Sequence, residues 1–206
     1  MRFSIATAAI AGLAAASPMV KTRQTGVNVV DETLQVVDSA ANTIVTQLTD
    51  INFSSHVANL LLGTLTGSIV PQLEESLTAV GDEFVDIKNF VTSQLKETVA
   101  PVVEAELGNV VTLLEDTTDL VNEAKSTLES LTSGLLTSTL SGVKQEAQYL
   151  LDTIEPAIAP VLEISKDFVG TATGSVVDQI NSLTADLKTL ATEGLAPVQD
   201  AINKLV

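Results

Sequence analysis

The sequence predicts an all-α protein built from amphipathic helices punctuated by proline. Apolar side chains recur at alternating spacings of four and three across most of residues 30–190, the period of an a/d helical seam. Period-2 alternation, the mark of a half-buried strand, is absent over any useful length. One phrase also repeats: "SIVPQLEESL" (68–77), "TVAPVVEAEL" (98–107), "AIAPVLEISK" (157–166) and "GLAPVQDAIN" (194–203) each place an acid three residues after a proline. Proline lacks an N–H and fixes φ, so it suits a first helical turn. An acid in that turn interacts well with the positive end of the helix dipole.

The elements follow in chain order. "MRFSIATAAIAGLAAASP" has a basic start at Arg2, an apolar run from Ile5 to Ala16 and small residues at its end, the pattern of a secretory signal peptide. Ala14 and Ala16 fit the cleavage pattern, which assigns residues 1–16 to the leader; Ala15 and Ser17 offer the alternative site. Cleavage after Ala16 removes one charged residue, Arg2, and takes the net charge from −16 to −17. Residues 17–27 carry no periodicity and read as a flexible post-signal segment. Residues 28–206 read as one helical domain.

The first seam is Val30, Leu34, Val37, Ala41, Ile44 and Leu48, with a break expected in "LTDINFSS" (48–55). The second is Leu73, Leu77, Val80, Phe84, Ile87 and Val91. The third runs from Val103 through Leu107, Val110, Leu114, Thr117, Val121, Ala124, Leu128 and Leu131 to Leu135. A Ser/Thr/Gly-rich turn fits "LTSGLLTSTLSG" (131–142). The fourth takes Leu136, Leu140, Val143, Ala147, Leu150, Ile154, Ala157, Val161, Ile164 and Phe168, with kinks expected at Pro156 and Pro160. After a break in "VGTATGS" (169–175), Val176, Ile180, Leu183, Leu187 and Leu190 form the last. This predicts five to seven helices. Short connections between them give an up-and-down bundle; kinks that fail to reverse the chain give an elongated helical array instead.

Composition narrows the function. Apolar residues make up 45% of the chain, aromatics only 3%, and there is no Trp. Such a core is aliphatic and suits regular seams better than an aromatic-lined pocket. The net charge repels nucleic acid and anionic lipid headgroups, so neither is expected as a partner. With no cysteine, stability cannot draw on disulfides. Neither a second stretch of about 20 apolar residues nor a hydrophobic C-terminal tail is present, so neither a transmembrane segment nor a lipid-anchor signal is expected.

Candidate chemistry is sparse. His56 is the single histidine, so every Ser-His-Asp or Cys-His scheme would depend on it. Zinc needs more His or Cys ligands than the chain holds, and no calcium-loop pattern occurs. The acid pairs Glu74–Glu75, Asp82–Glu83, Glu115–Asp116 and Glu104 with Glu106 read as solvated helix faces. "GTATGS" (170–175) lacks the lysine of a phosphate loop and follows no strand; "GTLTG" (63–67) has the spacing of a close helix contact. No catalytic, metal or cofactor-binding residue is assigned, and no enzyme is expected.

Two features remain. Asn52-Phe53-Ser54 is an N-glycosylation sequon. The stretch 51–73 contains no Asp, Glu, Lys or Arg. It reads either as the most buried helix of the bundle or as a segment that touches lipid or an apolar surface. Its candidate contact residues are Leu60, Leu61, Leu62, Leu65 and Ile69.

The leader "MRFSIATAAIAGLAAASP", followed by a cysteine-free, acidic, Thr/Ser/Val/Leu-rich helical chain, resembles small secreted cell-surface proteins of filamentous fungi. The resemblance is to the hydrophobic surface-binding and cell-wall galactomannoprotein group, and it covers roughly residues 28–206. It implies a helical, extracellular or cell-wall, non-enzymatic protein that adsorbs to apolar surfaces or binds lipid. No binding residue carries over. The expectation is therefore a secreted, non-catalytic protein that binds neutral lipid or an apolar surface when its helical seams open. The alternative is a self-associating wall or matrix component, or a secreted effector that docks on a host protein.

Overall fold

A computed structural model describes residues 27–60, 69–97, 106–134, 141–169 and 174–205. The leader at 1–16, Pro101 and the loop phrases at 63–67 and 170–173 lie outside them. Among the described residues there are six α-helices and no strand: α1 (Val27–Leu60), α2 (Ile69–Glu97), α3 (Leu107–Gly134), α4 (Ser141–Val169), α5 (Ser175–Thr189) and α6 (Ala196–Lys204). A π-helical turn, Leu190–Gly194, joins the last two into a fifth rod. Two prolines fall where their chemistry fits best. Pro71 sits in the first turn of α2 and Pro197 at the start of α6. Pro156 and Pro160 lie inside α4, which runs through both without a break.

Side-chain pairs fix the directions of the rods. Asp31–Asn109, Asp38–Asp116 and Asn52–Thr127 ascend together, so α1 and α3 are parallel. Glu32–Gln94 and Thr43–Glu83 run in opposite senses, so α2 is antiparallel to α1. Thr78–Glu146 and Asp82–Tyr149 make α4 parallel to α2. Ser165–Thr184, Gln148–Gln199 and Lys144–Asn203 make the fifth rod antiparallel to α4. Successive rods thus alternate up and down. In space they form two layers, with α1, α3 and α5–α6 side by side across α2 and α4. The elongated, non-reversing alternative does not occur; the chain folds back on itself.

The core is continuous and aliphatic. The described seam positions of α2, α3 and α4 are all buried, among them Leu77, Phe84, Val121, Leu128, Leu150 and Ile154. Full burial of such side chains contributes about 1.5–3 kcal/mol each against the cost of ordering the chain. Mid-helix threonines, normally weak helix formers, return their hydroxyls to the backbone: Thr46, Thr49, Thr78, Thr117, Thr118 and Thr132 donate to the carbonyl four residues earlier.

Three expectations need correction. The break at 48–55 does not exist, because α1 continues to Leu60. Leu48 and Ile51 are fully buried there, Ser55 donates to the Asn52 carbonyl and the Asn52 amide reaches Thr127, so tertiary contacts override a turn-like composition. The α1 seam also drifts from its predicted register. Thr33, Val37, Ala40, Ile44, Leu48, Ile51 and Ser55 are buried, whereas Leu34 and Ala41 are only half-buried. That spacing averages about 3.67 residues, which keeps a nearly straight helix in contact along its length. In α5, Val176 is 39% exposed and its neighbour Val177 takes the buried place.

Candidate functional site

No enclosed site emerges from the described residues. A depression of about 730 Å³ among the described residues is an open cleft between α4 and α6 lined by Lys144, Gln148, Tyr149, Asp152, Gln199 and Asn203. Its volume matches a small-molecule site, but its polar, open wall does not surround a ligand as such sites do. Its polar groups are engaged with one another. Gln148 and Gln199 exchange amide hydrogen bonds at 2.9 and 2.6 Å, and Gln148 also donates to Asp152 at 2.7 Å. Lys144 donates to the carbonyls of Leu205 and Asn203, capping the negative end of α6.

Acids meet acids where α1 and α3 run in parallel. Asp38 on α1 faces Asp116 on α3. Burial, then the charges of Asp38, Asp119 and Glu115, raise the Asp116 carboxyl to about 6. One end of the same contact holds Glu106, which is 5% exposed and whose two carboxylate oxygens have no hydrogen-bond partner among the described residues. Burial first, and Asp31 second, raise its carboxyl above the ordinary range. Across α1 and α2, burial raises the Glu83 carboxyl although Thr43 donates to it, and Asp86 and Asp82 add to the rise. These acids are therefore not simply solvated faces: several sit at helix contacts and oppose them. Among the described residues no group of three or more His, Cys, Asp or Glu could hold a metal ion.

The predicted site residues do not converge into a pocket. Ile69 is buried at the start of α2, while Leu60 ends α1 and Leu61, Leu62 and Leu65 lie outside the described residues. His56 is within α1, beyond the last α1 side chain the structure describes. Asn52 is on an exposed stretch of α1 with its amide donating to the Thr127 hydroxyl at 3.2 Å, next to Phe53, which is 69% exposed.

The sequence reading missed a second stripe on α4. Besides its main seam, α4 carries Lys144, Gln148, Leu151, Ile158, Leu162 and Ser165 at helical spacing; Lys144, Gln148 and Ser165 hydrogen-bond to the fifth rod, and Leu151 lines a depression with Ala191 and Leu195. The rod answers with Val177, Ile180, Leu187, Leu195, Val198 and Ile202, all buried. From Leu187 through Ala191 to Leu195 its spacing is four and four, one residue more than a 4-3 seam. The wider π turn at Leu190–Gly194 takes up that residue and holds Leu195 on the contact side. A signal was present in the sequence: Leu151, Ile158 and Leu162 are apolar residues beside the main spine.

No helix among the described residues is long and apolar enough to cross a membrane. Comparisons with protein-family models, with curated proteins and with solved structures find no match to this chain.

Proposed function

We propose that this chain is a secreted, non-catalytic protein that binds neutral lipid or an apolar surface through the apolar faces of its helices. One observation carries the reading: four helices of 28 to 34 residues and a fifth rod share an interior that is almost wholly aliphatic. Helices satisfy their own backbone hydrogen bonds. Such an interior can therefore be turned toward lipid without leaving backbone groups unpaired. The like-charged contacts between α1 and α3 lower the cost of separating helices at neutral pH. The leader-like residues 1–16 and the resemblance to secreted fungal surface proteins support an extracellular or cell-wall location. The acidic net charge of −16 favours an uncharged or zwitterionic surface over an anionic one.

The test is retention of residues 17–206 on hydrophobic beads and on phosphatidylcholine-coated triolein emulsion, beside a helical bundle of similar charge that binds neither. Retention that survives 1 M salt is expected. A protein that flows through both matrices at low and high salt refutes the reading.

A further inference from the structure

We infer that the head of the parallel α1–α3 pair is an acid-closed latch: a proton on Glu106 holds it shut, and loss of that proton loosens the first turns of both helices. The device belongs to the fold and stands whether or not the chain binds lipid.

Buried polar atoms without a partner collect at this end. Among the described residues they are the Thr33 hydroxyl, in the second turn of α1, and both carboxylate oxygens of Glu106, the residue before α3. Thr33 is 0% exposed and Glu106 5%. Buried threonines elsewhere donate to a backbone carbonyl, Thr117 to Leu113 and Thr153 to Leu150, each at 2.7 Å. The other end of the same helix pair is satisfied too, with Asn52 donating to Thr127 at 3.2 Å. A carboxylate buried without a partner costs more than a neutral group in the same place.

The described charges around Glu106 are of its own sign. From Val27 to Leu60, α1 holds Asp31, Glu32, Asp38 and Asp50 and no Lys or Arg. Asp31 faces Glu106 and adds to the effect of burial on its carboxyl. The amides at this end serve other acids: Asn109 of α3 donates to Asp31 at 2.6 Å and Gln94 of α2 to Glu32 at 3.2 Å. The N–H groups of the first α3 turn would favour an ionised acid, yet the Glu106 oxygens accept from none of them. The offset of 78 residues that pairs Asp31 with Asn109 also sets Asp38 against Asp116, so the next contact down the seam is acid on acid. By the Glu32–Gln94 and Thr43–Glu83 register, Lys88 of α2 comes level with Asp38, but it is exposed and forms no salt bridge among the described residues. The same register brings Lys96 to this end, beyond the last α2 side chain the structure describes.

Two routes relieve Glu106. In acid it takes a proton, loses its charge and its repulsion from Asp31, and stays buried. Near neutrality it ionises, and the less costly course is for the ends of α1 and α3 to part and admit water. The sign follows from linkage. The folded chain holds this proton more tightly than the unfolded chain, so the latch is fully closed below the ordinary value of 4.5 and is lost as pH rises through the raised one. The loosening stays at the ends because Val37, Ile44 and Leu48 of α1 and Leu114 and Val121 of α3, all fully buried, hold the seam below.

Hydrogen exchange of the full chain at pH 5 and pH 7.5 reads the latch, expressed as protection factors so that the intrinsic pH dependence of exchange cancels. Protection of the amides in 31–37 and 110–116 is expected to fall at least tenfold from pH 5 to pH 7.5, relative to 147–158 in α4. Glu106→Gln keeps the shape and is neutral at every pH, so it should cut that fall to less than twofold. Asp31→Asn removes the repulsion and should shrink it. Asp186→Asn, on the exposed side of α5, and Lys96→Gln should leave it in place. A protection ratio that does not change with pH overturns the latch, as does a fall that neither Glu106→Gln nor Asp31→Asn shrinks. A fall of equal size in α4 overturns it too, because the response is then global. Loss of the fall in Lys96→Gln overturns it in favour of an ion pair at the same end.

Discussion

The most direct quantitative test concerns Asp116. Its carboxyl rises from 3.8 to about 6 through burial and through Asp38, Asp119 and Glu115. A rise of that size corresponds to about 3 kcal/mol at 1.36 kcal/mol per pH unit. The side chain is half-exposed, and solvent screens it, so about 1 kcal/mol is the expected effect. The sign follows from linkage. Between 3.8 and about 6 the folded chain binds more protons at this site than the unfolded chain, so stability falls as pH rises through that window. The penalty is fully present above about 6 and relieved below 3.8. Asp116→Asn, neutral at every pH, should therefore raise Tm by about 2–4 °C at pH 7.5 for a chain of this length and change it little at pH 4. Differential scanning calorimetry of both proteins at the two pH values reads the effect. An Asn variant that destabilises equally at both pH values would show that Asp116 acts through packing or hydrogen bonding, and the charge argument would be wrong.

Further expectations concern packing and caps. Leu150→Ala removes a fully buried side chain and should cost about 2–5 kcal/mol in urea unfolding; Phe53→Ala, on the exposed side of α1, should stay within about 0.5 kcal/mol of the parent. At Gly81 two effects compete. Alanine favours a helix by about 1 kcal/mol, but its Cβ would sit 2.6 Å from the Tyr149 ring, whose hydroxyl donates to Asp82 at 2.7 Å. Gly81→Ala should be net destabilising, with Tyr149→Leu recovering part of the loss; a lone Gly81→Ala that stabilises would show that the ring moves freely. Lys144→Met removes the cap from α6, worth about 1 kcal/mol. Hydrogen exchange should speed up in α6 and remain unchanged in α1 and α2.

Much of the architecture was legible from residue spacing. A 4-3 seam has one buried face per helix whatever its partners, so the main spines of α2, α3 and α4 could be read from Leu, Val, Ile and Ala alone. Pro71 and Pro197 likewise announce helix starts because a missing N–H and a fixed φ are local properties. Turn-like residues at 48–55 were misleading because Asn52 and Ser55 find their partners in the tertiary fold and in the helix itself, while Ile51 holds the chain to the core. Pro156 and Pro160 could mark a break or a kink; only packing on both faces of α4 decided that the helix continues.

The candidate contact residues around 51–73 were chosen for what the segment lacks, its charges, and absence of charge does not specify a neighbour. By itself the sequence determined helical class, an aliphatic core without disulfides and an acidic surface, since these depend on composition and on periods of a few residues. Only the tertiary structure decided that α1 lies parallel to α3, that Asp38 meets Asp116, and that α4 carries a second stripe for the last rod. Those facts depend on pairing between residues some 50 to 80 positions apart, where the energy of contact belongs to two faces together and is written in neither one alone.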